Sequence, residues 1–142
     1  MAHRAEAQVS ALADDIAYCA HDIDDGLRAG LLDFEQMPHS PLAGPIFSGI
    51  VARYPGVARG RLINEAVREL IGILVDDLLA ETGRGVISER IADVGQVRAL
   101  GKPLVAFSPG MARQLTALKG YLYTHLYRHE KVNQMMSRMQ GV

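Results

Sequence analysis

Residues Ala11 to Gly30 read A-L-A-D-D-I-A-Y-C-A-H-D-I-D-D-G-L-R-A-G, and the organisation of the chain follows from them. Val9, Leu12, Ile16, Cys19, Ala20, Ile23 and Leu27 recur at three- and four-residue steps, the period of a helix with one buried stripe. At about 100° per residue, Asp14, Tyr18, His21, Asp22 and Asp25 collect on the opposite side. The spacing predicts an amphipathic helix with two separate faces, closed by Gly30 as a C-cap.

A charged helix face ordinarily points into water, and that is the plain reading of the second face. Three features argue for more. Five aspartates (14, 15, 22, 24 and 25) stand within twelve residues, although Asp disfavours helix interiors because its short carboxylate competes for nearby backbone groups. Only Asp24, with Arg28, has a basic residue four positions on, the usual compensation on a surface helix. Tyr18 places a large aromatic ring one turn from Asp14 and from Asp22, where a ligand could dock.

The pattern A-D-D-I-A-Y-x-x-H-D-I-D-D-G, preceded by E-A-Q-V, resembles the last conserved motif of the HD-domain deoxynucleoside triphosphate triphosphohydrolases, in their dGTPase-like branch. That resemblance implies an all-α fold, a helical bundle forming the C-terminal part of an HD-domain-like architecture. It implies that Asp14 is a metal ligand, that Tyr18 packs on the deoxyribose and that Asp22 accepts a hydrogen bond from the 3′-hydroxyl. The implied substrate is a dNTP such as dGTP, and the implied cofactor of the complete enzyme is a divalent metal, Mg or Mn. Such an ion takes carboxylate and imidazole ligands and activates water. His21 and Asp22 spell His-Asp, but their offset from Asp14 assigns them to the final-Asp motif. The family's first His and its metal-binding His-Asp pair have no counterpart here, so the chain alone is expected to be catalytically incomplete and to bind no metal. The alternative reading is a non-catalytic helical module that binds nucleotide or oligomerises.

The composition is that of a folded chain. Its 142 residues suffice for one helical domain spanning 1–142, which the resemblance makes the C-terminal fragment of a larger hydrolase. Hydrophobic residues make 49 % and charged residues 22 %, with three Phe, five Tyr and no Trp, which excludes disorder and requires an aliphatic core. Neither a membrane-spanning run nor a secretory leader is legible, so a cytoplasmic location without a membrane partner is expected. The single Cys19 excludes a disulfide within the chain and falls on the apolar stripe, where a buried thiol is expected. Net charge is −1 overall, but −6 for residues 1–35 and +5 for the remainder. An acidic wall against a basic remainder suits a metal and triphosphate site, and equally suits two helices packed by charge complementarity.

Further along, three prolines between Leu31 and Pro45 mark a connector, with His39 a loop residue. A helix over 46–54 should end at Tyr54-Pro55, since the residue before proline leaves helical geometry. The longest pattern, 58–82, carries apolar residues from Leu62 to Leu79 on a stripe wide enough to be buried on more than one side. Asp76 and Asp77 within it read as a solvated edge, and Arg53, Arg59 and Arg61 as surface charge or a phosphate- or subunit-facing cluster. Gly83-Arg84-Gly85 should break the helix, followed by short helices over 88–92 and 94–99. Residues 104–107 should pack or form a short strand.

Ser108-Pro109 supplies an N-cap and a proline at the first helical position, opening a helix over 109–127. Lys119, Tyr123 and Tyr127 share one of its faces at four-residue steps. The family has a similar late helix ending in a Y-R-H segment, here Tyr127-Arg128-His129. The resemblance implies Lys119 as a phosphate ligand and the tyrosines as walls of a nucleotide pocket; packing of the rings at the core's edge is the alternative. His125 and His129 stand one turn apart without a third ligand, so no structural zinc is expected. Residues 131–140, with Val132, Met135, Met136 and Met139, form an amphipathic segment suited to covering the bundle. Exposure of Tyr18 and of an incompletely covered core predicts self-association, with the chain a homo-oligomer or completed by a missing N-terminal region.

Overall fold

The computed structural model describes residues 4–90, 92, 95–96 and 104–127. Helix α1 spans Arg4–Arg28, a 3-10 turn spans Phe34–His39, α2 spans Ala43–Arg53 and α3 spans Arg59–Ser88. Helix α4 spans Pro109–Leu122 and passes into a π turn, Tyr123–Tyr127. No strand occurs among the described residues, so the all-α bundle expected from the sequence is observed. None of the helices among the described residues is long and apolar enough to cross a membrane.

Helix α1 buries the predicted stripe from Ile16 on, with Leu12 partly buried against the core, whereas Val9, in the first turns beyond the reach of the core, is 49 % exposed. Ile16, Cys19, Ala20, Ile23 and Leu27 are all at most 9 % exposed, each burial worth about 1.5–3 kcal/mol for a large aliphatic side chain. Gly30 ends the helix at φ +76°, a conformation that favours glycine because no Cβ meets the backbone. The N–H groups of Leu31 and Leu32 both return to the Gly26 carbonyl at 2.9 Å, which satisfies the terminal acceptor and turns the chain. Asp33 then caps the 3-10 turn by accepting from the Glu35 N–H at 3.0 Å. The Ser40 hydroxyl donates to the Met37 carbonyl at 2.6 Å, and this buried bond brings the turn against α2. There Gly44 approaches the turn so closely that a Cβ would sit 2.5 Å from the Pro38 carbonyl oxygen. Phe34 meets Phe47 edge to face at 5.8 Å.

The contacts between helices define their directions. The end of α1 meets the start of α3, where Arg28 donates to Asn64 at 2.7 Å. The later half of α3 meets the start of α4, where Asp77 accepts from Ser108. Helix α4 begins beside the start of α1, since the Val105 N–H donates to the Gln8 side chain at 3.2 Å. Helices α1 and α4 therefore run in the same direction, both opposed to α3. Between them lies the core, made of the α1 stripe, Ile46, Phe47 and Ile50 of α2, Leu62, Ile63, Ala66, Leu70 and Leu74 of α3, and Leu115, Leu118 and Leu122 of α4.

Several expectations need correction. Helix α2 starts at Ala43, three residues earlier than read, and ends at Arg53, one residue earlier, with Tyr54 leaving helical geometry at φ −127°. Helix α3 does not break at Gly83-Arg84-Gly85 but continues to Ser88. A glycine weakens a helix by about 1 kcal/mol relative to alanine, which local support offsets: Arg84 pairs with Glu81 at 2.6 Å, and Gly85 lies against Leu104. The expected helix over 88–92 does not form: Ser88 is the last residue of α3, Glu89 and Arg90 make a turn and residue 92 is non-helical; residues 95–96 are helical, and the rest of 94–99 lies outside the described residues. Residues 104–107 pack rather than pair as a strand, with Phe107 buried. The wide stripe of α3 is buried on one side only: Ile71, Val75 and Leu79 are exposed. Residues 131–140 and His129 lie outside the described residues.

Candidate functional site

The face of α1 turned away from the core forms a wall. Asp14 is exposed and has no hydrogen bond or ion pair among the described residues. Tyr18, one turn on, is 57 % exposed. One turn further on stands the half-buried carboxylate of Asp22, near enough at the i, i+4 step of the helix for ring and acid to act on each other. The pKa of Tyr18 is raised, first because the Asp22 charge disfavours a phenolate and then by burial. Asp22 is itself raised, chiefly by desolvation, with the Tyr18 hydrogen bond working in the opposite direction and the Asp25 charge adding to the rise.

One edge of this wall is closed by α4. The Lys119 ammonium lies 2.8 Å from the Asp15 carboxylate, and both side chains are 38 % exposed. On the α1 wheel Asp15 falls beside Tyr18 and Asp22, on the flank of the wall that meets α4. Because the two helices run in parallel, Tyr123, one turn beyond Lys119, stands at the level of Tyr18 and Asp22. Tyr123 is 61 % exposed and stacks on Tyr127 with ring centroids 4.8 Å apart and planes at 9°. The surface along the α1–α4 contact thus carries carboxylates and a phenol from α1 and an ammonium and two stacked phenols from α4 and its π turn. The tyrosines do not line the core; that part of α4 is supplied by Leu115, Leu118 and Leu122. The π turn holds the pair at the helix end, where the His125 ring stacks on Tyr121 at 4.0 Å and bonds the Tyr121 carbonyl.

Sequence reasoning missed Asp15 as the partner of Lys119. Its position beside Tyr18 and Asp22 was legible from the wheel; its pairing with α4 was not, because nothing local to either helix encodes it. Asp77, read as part of a solvated edge, is half-buried and holds Ser108. The basic cluster disperses: Arg53 pairs with Glu69 at 2.6 Å and Arg59 with Glu35 at 2.8 Å, while Arg61 is exposed.

The donor set of the wall does not by itself fit a metal ion. Among the described residues no three His, Cys, Asp or Glu side chains converge, and a lone exposed carboxylate does not hold a divalent cation against water. A groove of about 580 Å³ lies between the 3-10 turn, α2 and α3, lined by Phe34, Pro38, Val51 and Leu62 among others. Its one arginine, Arg59, is already paired with Glu35 and lies 4.9 Å over the Phe34 ring. An apolar floor with a neutralised cation is a poor place for a triphosphate, so the surface between α1 and α4 is the better candidate.

Comparison with known proteins agrees with the helical reading. Residues 105–142 match the phosphohydrolase-associated domain, HD_assoc. Over 137 residues, 96 % of this chain and 35 % of the other, the sequence is 50 % identical to a deoxyguanosinetriphosphate triphosphohydrolase-like protein of Parvibaculum lavamentivorans. A protein of the same description from Azorhizobium caulinodans is 44 % identical over 96 % of this chain and 34 % of its own length. One from Caulobacter vibrioides is 44 % identical over 97 % and 35 %. The chain spans about a third of the length of these curated relatives.

Proposed function

The chain is a homologue, over nearly its whole length, of the deoxyguanosinetriphosphate triphosphohydrolase-like proteins, and on that premise we propose that it forms the nucleotide-facing C-terminal part of a metal-dependent dGTP triphosphohydrolase. In this reading residues 1–142 are one helical unit, and its surface between α1 and α4 holds the deoxynucleotide. Tyr18 packs on the sugar, Asp22 accepts from the sugar hydroxyl, Lys119 meets the triphosphate, and Tyr123 and Tyr127 wall the pocket. Asp14 contributes one carboxylate to a divalent metal, Mg or Mn, whose other ligands come from elsewhere in the complete enzyme. The observation that supports the reading best is the Asp15–Lys119 contact, 2.8 Å. It brings the ammonium of α4 to the edge of the wall where Tyr18 and Asp22 stand, and a cation beside a sugar-sized aromatic and acidic surface is what a nucleoside triphosphate requires. The complete enzyme would act in the cytoplasm on dNTP pools.

Catalysis follows only if protein outside this chain supplies the remaining metal ligands, as another copy or as the rest of a longer hydrolase. The test is release of triphosphate from dGTP, measured with the chain alone and with the upstream two thirds of a relative added in trans. Release that needs both parts and disappears with Asp14→Ala is the expected result. The second reading, a non-catalytic nucleotide-binding or oligomerisation module, is favoured by the absence of three converging donors among the described residues. Metal-independent binding of dGTP, with no release under either condition, would establish it instead.

A further inference from the structure

Helix α4 ends in a π turn over Tyr123–Tyr127. Widening a helix from i+4 to i+5 closure weakens the hold on the carbonyls at the start of the turn, so such turns are rare and need local support. Two supports hold this one. Leu126 packs against α1 and the connector at Gly26, where a Cβ would lie 2.8 Å from the Leu126 side chain and 2.8 Å from that of Leu32. A glycine inside a helix costs about 1 kcal/mol relative to alanine, and at position 26 it makes this close approach possible. The second support is His125. Its Nδ1 lies 2.8 Å from the Tyr121 carbonyl oxygen, four residues back, and its ring stacks on the Tyr121 ring with centroids 4.0 Å apart and planes at 27°.

A carbonyl oxygen only accepts, so this bond requires the proton on Nδ1 and leaves Nε2 as the acceptor of the neutral ring. Tyr121 is itself held. It is partly buried against the core, and burial together with the Asp33 charge raises its pKa, which sets its phenol near the carboxylate that caps the 3-10 turn. His125 thus hangs from a ring that the core and the connector keep in place. Tyr123 and Tyr127, at the two ends of the same turn, stay 61 % and 46 % exposed and stack ring on ring at 4.8 Å. Two rings four residues apart keep that register only while the turn between them keeps its shape, and both supports, His125 and Leu126, lie inside that turn.

We propose that His125 is a positioning residue: bonded through Nδ1–H to the Tyr121 carbonyl and stacked on the Tyr121 ring, it locks the π turn and so fixes the Tyr123–Tyr127 pair as a preformed platform beside Tyr18 and Asp22. That the platform receives a deoxynucleoside rests on the proposed function; the clasp rests on the geometry of α4 alone.

Nuclear magnetic resonance of the full chain tests the clasp without ligand, and calorimetric titration with dGTP tests what it positions. Circular dichroism is the folding control, and His125 is exposed, so its substitution leaves the core alone. In the wild type the neutral His125 ring should carry its proton on Nδ1, read from its ring nitrogen shifts, and cross-relaxation should join the Tyr123 and Tyr127 rings. His125→Phe keeps a ring on Tyr121 without the N–H; it should lose the contacts between the two tyrosine rings and bind dGTP about 3- to 10-fold more weakly, the effect of one hydrogen bond that preorganises the surface. His125→Asn, whose amide N–H takes the place of Nδ1–H, should restore the ring contacts and return the affinity to within about 2-fold of wild type. A neutral His125 protonated on Nε2, a His125→Phe chain with ring contacts and affinity unchanged, or an equal loss from both variants overturns the proposal. A wild-type chain that gives both ligand-free signals but binds no dGTP overturns the nucleotide reading instead, and the ring contacts of the two variants then decide the clasp.

Discussion

Asp77 grips Ser108 twice, accepting its backbone N–H at 2.8 Å and its hydroxyl at 2.7 Å. The same hydroxyl oxygen accepts from the Met111 N–H at 3.3 Å, so one side chain both caps α4 and ties it to α3. This latch sets where α4 begins and hence where Lys119 meets α1. Asp77→Ala should destabilise the fold by roughly 1.5–3 kcal/mol, because a charged, partly buried acceptor is lost and the cap is loosened. Urea unfolding checks it; a change below about 0.5 kcal/mol would mean that the latch is solvated and unimportant.

The Asp15–Lys119 pair is half in water, so breaking it should cost little stability, within about 1 kcal/mol. Its effect on ligand binding should be larger and opposite for the two partners. Lys119→Met should weaken dGTP binding about 10-fold, whereas Asp15→Asn should strengthen it several-fold at low salt by removing a negative charge beside the triphosphate. Calorimetric titration of both variants decides; equal loss from both would mean that Lys119 must be held by Asp15 to act.

Asp22 makes the acidic wall pH-sensitive. Its folded pKa is raised, chiefly by desolvation, so the fold favours the protonated carboxyl. That contribution is fully present below the ordinary carboxylate range and is lost as pH rises through the folded value. Asp22→Asn should therefore melt above the wild type near neutral pH and lose that advantage in acid. Thermal melts across the acidic range provide the check, and a variant less stable at neutral pH would show that the Tyr18 hydrogen bond outweighs desolvation.

Burial pushes the Cys19 thiol up to about 11, and its side chain is fully enclosed. At neutral pH its thiolate fraction is on the order of 10⁻⁴. Alkylation should thus proceed only through unfolding, and its rate should rise in parallel with urea-induced opening. Rapid modification of the native chain would show that α1 separates readily from the core.

The parts legible in the sequence are those written in short-range periodicity. The α1 stripe, the Gly30 turn, the end of α2 before Pro55, and Ser108-Pro109 at the head of α4 each depend on residues within one or two turns. The spacings that join Tyr18 to Asp22 and Lys119 to Tyr123 were legible for the same reason. The misreadings fall where distant segments intervene. Gly83 and Gly85 would weaken an isolated helix, yet α3 runs through them with Leu104 packed at Gly85. Asp77 looked like surface charge because Ser108, 31 residues away, is not its neighbour in sequence.

The sequence by itself determined an all-helical chain with an apolar and a chemical face on α1, because helix geometry alone carries residues three and four apart onto one side. Only the tertiary structure decided that α4 runs parallel to α1, that Lys119 is held by Asp15, and that the second apolar edge of α3 stays in solvent. Those outcomes depend on which helix faces share one core, and pairing across more than a hundred residues is settled by packing and charge among all the helices together, not by the pattern along any one of them.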